Sequence, residues 1–415
     1  VGLLRLAAVG AVDDGKSTLI GRLLHDTQQL PDDQLAAIRR ASRARSDGGL
    51  DLSLATDGLR AERERGITID VAYRYAASGG RKLVIADCPG HFEYTQNMAT
   101  GASTADAAVV LVDVSTGLRR QTRRHLAIAA LFGISYFVVA VNKMDLVGWD
   151  RNRFRAVEED IHDLLGRLGP VQVVAVPVSA LQGANVVGRS READWYRGPT
   201  VLEALEQAPA ASWAGSRSGG ARLPVQLVIQ GEHGPAYAGM LAGGSLRPGD
   251  EVVVLPQGAR SRVAWIETLA GERGEAHPPH SITVRLAHAL EIGRGDVIAD
   301  AADPPQVLER ALVTLCWFAP TPLAAGAELG MKQATRLTGA RVSAVESRLD
   351  LDRVELREAD RLSPNGIGLA RLALDRPAVA DPYTRNRMTG AFVLVEPASG
   401  RTVAAGMFGR PAIAG

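Results

Sequence analysis

A chain of 415 residues, at roughly 150 per domain, is long enough for about three domains, and 46% hydrophobic with 22% charged residues excludes a wholly disordered protein. Forty-seven basic residues against 46 acidic ones leave a net charge of +1, so no overall field draws the chain onto nucleic acid or a membrane surface. Aromatics at 5% argue against stacking platforms for single strands, and two cysteines, Cys88 and Cys316, make no disulfide framework and suit a reducing cytoplasm.

From residue 3 to about residue 207, short apolar runs alternate with helical patterns. The runs at 3–9, 83–86, 107–112, 136–141 and 171–178 are almost continuously apolar, as expected of strands buried on both faces. Helices are predicted at 17–26, 121–132 and 154–168. This alternation predicts a mainly parallel α/β sheet. No run approaches the roughly 18 apolar residues of a membrane helix, and residues 1–9 lack the basic region of a signal peptide. A cytoplasmic protein without membrane contact is therefore expected.

The first βα unit carries Gly10-Ala11-Val12-Asp13-Asp14-Gly15-Lys16-Ser17, which fits Gly-x-x-x-x-Gly-Lys-Ser between a strand and a helix. Its glycines let backbone N–H groups close around phosphates at a helix N-terminus. Lys16 is predicted to reach the β- and γ-phosphates and Ser17 to bind Mg²⁺, with Val12, Asp13, Asp14, Gly15 and Thr18 completing the P-loop. Asp87-Cys88-Pro89-Gly90-His91 follows the next apolar run. An Asp at a strand's carboxyl end faces the ligand crevice of such a sheet. There Asp87 is expected to hold Mg²⁺ through water and the Gly90 N–H to sense a γ-phosphate, with Pro89 and His91 in the same site.

Asn142-Lys143-Met144-Asp145 ends the run at 136–141. A carboxylate accepts two hydrogen bonds from guanine N1–H and N2–H₂, and adenine offers no such pair. Asp145 is therefore expected to select GTP over ATP, with the Lys143 stem along the base and Leu146 beside it. Ser179-Ala180-Leu181 supplies the last guanine contact, through backbone N–H.

The pattern changes at residues 214–221, whose Ala-Gly-Ser-Arg-Ser-Gly-Gly core has linker composition. Residues 1–213 thus read as the GTPase domain. Short runs at 225–229, 237–242, 251–255, 262–269 and 282–286 predict a first β-barrel over 222–303. Asp303-Pro304-Pro305 marks a boundary, and runs at 311–317, 341–345, 354–356, 367–374, 391–395 and 402–407 predict a second barrel over 304–415.

These residues resemble the translation-factor superfamily of GTPases. The phosphate loop has that superfamily's Gly-x-Val-Asp-x-Gly-Lys-Ser form, Arg65-Gly66-Ile67-Thr68-Ile69 stands before the second strand, and Asn97-Met98-x-x-Gly101-Ala102 follows Asp87-Cys88-Pro89-Gly90-His91. An α/β GTPase domain with two trailing β-barrels is the elongation factor Tu layout. Within the superfamily the chain is similar, over essentially its whole length, to the GTPase subunit of bacterial heterodimeric sulfate adenylyltransferase. The matching stretches include Asp13-Asp14, residues 57–75, 98–105 and 139–147, Trp195-Tyr196-x-Gly198-Pro199, Arg294-Gly295-Asp296 and Asn365-Gly366-Ile367-Gly368. Asp14 stands where elongation factors usually have His, whereas Ala11, Cys88 and Phe92 depart from the subunit's pattern.

The resemblance implies roles. Thr68 would close over Mg²⁺ and the γ-phosphate in the GTP state, His91 would orient the attacking water, and Lys16 would complete the catalytic set. Val12 and Ile67 would form an apolar gate before His91, while Arg65 reads as a solvated switch-loop residue. Adenylyl transfer would occur on a small catalytic partner related to ATP pyrophosphatases. GTP hydrolysis here would drive that partner to make adenosine 5′-phosphosulfate and pyrophosphate from ATP and sulfate. The competing expectation is a translational GTPase carrying aminoacyl-tRNA, which the balanced charge of the barrel segments disfavours. His233, His277, His280 and His288 lack metal-ligand spacing. Arg119-Arg120 with Arg123-Arg124 reads as a solvated helix start.

Overall fold

The structure, a computed structural model, describes residues 2–45, 50–56, 68, 70–209, 219–232 and 234–411. Arg65, Gly66, Ile67, Ile69, His233 and most of the expected linker lie outside the described residues. The chain divides into two compact units, one holding the nucleotide motifs and the other the all-β segments.

In the first unit six strands form one sheet: β1 (Leu3–Gly10), β2 (Ala72–Ser78), β3 (Arg81–Asp87), β4 (Ala107–Asp113), β5 (Tyr136–Asn142) and β6 (Gln172–Pro177). Their order is β2-β3-β1-β4-β5-β6, and every neighbouring pair is parallel except the antiparallel β2 and β3. All seven residues of β4 and of β5 are buried, which explains their unbroken apolar sequence. The edge strand β2 shows no such run because Tyr73 and Tyr75 stand exposed on it.

Helix α1 (Lys16–Asp26) places Leu19, Ile20, Leu23 and Leu24 on one face, the spacing of an amphipathic helix. They pack with Leu4 and Leu6 of β1 and with Leu111 and Val138. Burying each such side chain stabilises the fold by roughly 1.5–3 kcal/mol. Thr27 ends the helix, its N–H and hydroxyl both donating to the Leu23 carbonyl. The chain leaves β1 toward β3 on one side and β4 on the other, so a crevice opens at the carboxyl end of β1, where ligands of open α/β sheets bind.

Among the described residues the second unit contains two large β-sheets and a separate two-stranded one. The first takes β7 (Arg222–Pro224), β8 (Leu227–Ile229), β9 (Ala236–Met240), β10 (Glu251–Leu255), β11 (Ala259–Thr268), β12 (Gly271–Glu272), β13 (Ser281–Leu286) and β14 (Val297–Asp300). Of the run at 225–229 only residues 227–229 form a strand, and residues 297–300, which were not anticipated, pair between β7 and β10. The second sheet includes β15 (Gln306–Trp317), the two-residue β16 (Leu323–Ala324) outside it, β17 (Glu328–Gln333) and β18 (Arg336–Asp350). Further along come β19 (Glu355–Glu358), β21 (Ile367–Ala380), β22 (Ala391–Val395) and β23 (Thr402–Phe408), while the short β20 (Arg361–Leu362) pairs with β16 apart from this sheet. Its path β17-β22-β23-β15-β21-β18 closes into a barrel because β18 also pairs with β17. The fully buried Arg222 guanidinium donates twice to Asp381, 3.0 Å each, tying the two β-modules together.

Candidate nucleotide-binding site

At the end of β1 the backbone turns through two left-handed residues, Asp13 (φ 69°) and Gly15 (φ 94°). A Cβ on Gly15 would fall 2.4 Å from Asn142 Nδ2, so both conformation and space demand glycine there. The turn delivers the start of α1, which no side chain caps, leaving open N–H groups and the positive end of the helix dipole. Val12, Asp13, Gly15, Lys16, Ser17 and Thr18 line one end of a cavity of about 580 Å³. Lys16 is nearly buried, with Nζ 3.5 Å from Asp87 at the end of β3. Gly90 lies against the loop itself: a Cβ there would approach the Gly10 oxygen to 2.9 Å and the Val12 nitrogen to 3.1 Å. Thr68 joins the same wall.

The other end is made by two loops at the ends of β5 and β6. Asn142, Lys143, Asp145 and Leu146 line it from the first, and Ser179, Ala180 and Leu181 from the second. Asn142 is 3% exposed and bridges them to the phosphate loop. Its Nδ2 donates to the Asp14 carbonyl (2.8 Å), and its Oδ1 accepts the Ala180 N–H (2.9 Å). Arg22 of α1 donates to the Ala180 and Leu181 carbonyls. Leu146 and Leu181 remain exposed, apolar surface in the slot where a base would lie. The geometry suits a nucleoside triphosphate, with phosphates on the helix start and a base between the two loops.

Four anticipated residues are not part of the cavity wall: Asp14, Asp87, Pro89 and His91. Asp14 is 1% exposed; its Oδ2 accepts the Ala11 N–H (2.9 Å), while its Oδ1 has no hydrogen-bond partner. Burial pushes its pKa up to about 6, against the opposing pull of the Ala11 N–H and Arg119. Asp87 is buried beside Lys16, and Pro89 is buried as well. His91 caps the short turn Phe92–Tyr94 by accepting the Glu93 N–H, its ring 4.8 Å from that of Phe92.

Sequence reasoning missed Ala11 and Ser53 on the wall. Ser53 arrives on the 3-10 turn Leu52–Ala55, capped by Asp51, which has no motif to announce it. In the basic run Arg119 and Arg120 are exposed, as a solvated helix start predicts, whereas Arg123 and Arg124 are half-buried. Arg119 donates to the Val12 carbonyl (3.2 Å), and Arg124 to Gln121, whose amide meets the fully buried His125 ring at 2.8 Å. Desolvation lowers the pKa of His125 to about 3, so this imidazole stays neutral behind the phosphate loop. Among the described residues, no three His, Cys, Asp or Glu side chains cluster as a metal site of their own. No helix of the described residues is long and apolar enough to cross a membrane.

Residues 2–210 match the family model of the elongation factor Tu GTP binding domain, and residues 310–408 that of the GTP-eEF1A C-terminal domain-like family. The bifunctional enzyme CysN/CysC of Mycobacterium tuberculosis is 47% identical over 413 residues, covering 98% of this chain and 67% of that protein. Sulfate adenylyltransferase subunit 1 of Citrobacter koseri is 45% identical over 413 residues, 99% of this chain and 86% of that protein. Among solved structures, sup35 complexed with GDP is 21% identical with a TM-score of 0.44, covering 99% of this chain and 94% of that one.

Proposed function

The chain belongs to the sulfate adenylyltransferase subunit 1 family, within the elongation factor Tu type of GTPase, and on that premise we propose how its residues divide the work. It binds and hydrolyses GTP as the regulatory subunit of sulfate adenylyltransferase. The observation that carries the reading is the convergence in one cavity of an uncapped helix start bearing Lys16 and a loop bearing Asp145.

Asp145 reads guanine N1–H and N2–H₂, the Ala180 region meets the base from the second loop, and Lys143 and Leu181 give it apolar surface. Lys16 and the N–H groups of the α1 start hold the phosphates, and Gly90 senses the γ-phosphate. The donors fit Mg²⁺: Ser17 and Thr68 hydroxyls line the phosphate end, and the buried Asp87 carboxylate lies beside it, all hard oxygens. Bound by them, the ion would neutralise charge on the phosphate oxygens. Thr68 closes over the γ-phosphate, and its release after hydrolysis resets the switch loop. His91, moved from beside Phe92, orients the attacking water; Asp14 braces the loop from beneath.

Hydrolysis drives a small catalytic partner of ATP-pyrophosphatase type to form adenosine 5′-phosphosulfate and pyrophosphate. The setting is the cytoplasm. The division into residues 1–213, 222–303 and 304–415 belongs to the same proposal. Kinship with a subunit 1 protein over 99% of this chain supports this reading over a carrier of aminoacyl-tRNA.

Reconstitution with the partner subunit tests it. GTP is expected to raise adenylylsulfate formation well above the level with GDP. His91→Ala should lower GTP hydrolysis about 100-fold while GTP still binds, and the stimulation should vanish with it. Adenylyl transfer indifferent to GTP would overturn the coupling, and wild-type hydrolysis by the variant would overturn the role of His91.

A further inference from the structure

Asp113, the last residue of β4, belongs to none of the nucleotide motifs. Across the sheet it pairs in register with Asn142, so its carboxylate stands beside the loop that reads the base. The residue is 4% exposed and fully engaged: Oδ2 accepts Lys143 Nζ at 2.8 Å, and Oδ1 accepts both the N–H (2.8 Å) and the hydroxyl of Ser115. Burial alone would push its pKa up, but the bonds from Lys143 and Ser115 outweigh that, and the carboxyl lies below the usual range, ionised at neutral pH. Besides Lys143, the charged group that interacts with it is Asp14 of the phosphate loop.

Lys143 is constrained at its other end as well. Its backbone is left-handed (φ 64°), between the strand end and the turn Met144–Val147, whose Met144 N–H donates to the Val178 carbonyl. A free lysine stem samples many rotamers, and ordering it on binding would cost affinity. Here backbone and ammonium are both fixed, so the four-carbon stem is stretched between two anchors along the cavity wall.

We propose that Asp113 is a positioning residue for guanine recognition: by holding the Lys143 ammonium it presets the lysine stem as a rigid apolar wall for the base before nucleotide arrives. The inference rests on the reading of this cavity as the GTP site. Asp113 acts through Lys143 and touches no substrate atom. Because the base is bound alike in ground and transition states, the effect falls on binding and not on the chemical step.

The test is Asp113→Asn in the full chain, with GTP and GDP affinities measured by equilibrium titration and hydrolysis at steady state. Both affinities are expected to fall about tenfold, with KM rising by the same factor and kcat unchanged. In a Lys143→Met background, which keeps an apolar stem without the ammonium, Asp113→Asn should cost less than about twofold more. Ser115→Ala, which loosens the carboxylate's other side, should leave affinity within about twofold. Thermal unfolding without nucleotide separates loss of fold from loss of binding. An unchanged affinity, a full tenfold loss in the Lys143→Met background, or an equal loss in Ser115→Ala would overturn the proposal. Wild-type protein that bound no GTP would instead sink the reading of the cavity itself.

Discussion

The two ends of the cavity are built on different principles. The phosphate end is mostly backbone: a left-handed turn at Asp13 and Gly15, an uncapped helix start and Gly90 laid against the loop. The base end is mostly side chains held by other side chains and by carbonyls: Asn142 between two loops, Arg22 on Ala180 and Leu181, Asp113 on Lys143. The ligand explains the contrast. Phosphate oxygens ask for many N–H donors and positive potential, which a turn and a helix start provide with little but glycine. A base edge asks for one carboxylate aimed within hydrogen-bond tolerance and a flat apolar wall, and long side chains give that only when braced.

The contrast sharpens most at Lys16, the one long side chain on which the phosphate end depends. Lys16→Met is expected to weaken GTP and GDP binding at least 100-fold, more than any single change at the base end, because it removes a charge from a nearly buried site. Equilibrium titration measures this. A loss below about tenfold would mean that the backbone cradle and helix dipole suffice without it.

The next effect, at the base end, is a change of specificity. Asp145→Asn turns an acceptor toward guanine N2–H₂ into a donor, so GTP affinity should fall by roughly 30-fold or more. Xanthosine triphosphate, with a carbonyl at that ring position, should then bind better than GTP. Competition between the two nucleotides decides it. Retained preference for GTP would show that the second loop, at Ala180, reads the base and Asp145 does not.

The same contrast explains what could be read without coordinates. The phosphate loop was legible because its conformation admits few residues, and Gly15 has both a positive φ and Asn142 against it. The strands β4 and β5 were legible because burial on both faces leaves an apolar run, and β1 because only Arg5 interrupts one. Edge strand β2 was not, since one of its faces carries exposed tyrosines, and β18 was seen as residues 341–345 only. Its fifteen residues alternate buried and exposed positions, and Gly339 with scattered arginines interrupts the pattern. The bracing residues were the least legible. Asp113 closes an apolar strand without a motif, and His125 sits in a run that reads as solvated charge. Such residues are recognisable by what they touch, and those contacts, Asp113 to Lys143 and Gln121 to His125, are set by the fold.

Asp14 is the place where the contrast is most open to being broken, through the smallest effect. It belongs to the phosphate loop yet works like the base end, a side chain bracing the Ala11 N–H. Its pKa is about 6 in the fold against about 3.9 for a free aspartate, so between those values the folded state holds a proton that the unfolded state has lost. Its contribution is therefore fully present below about pH 4 and is lost as the pH rises through about 6, leaving a buried charge that destabilises the fold by about 3 kcal/mol at pH 8. Asp14→Asn keeps an oxygen for the Ala11 N–H and removes the charge. Urea unfolding should find the variant more stable by about that amount at pH 8, the gain shrinking as the pH falls through 6 to 5. A variant less stable than wild type at pH 8 would mean that the ionised carboxylate itself braces the loop. The phosphate end would then depend on side-chain charge as the base end does, and the division between a backbone end and a side-chain end would fail.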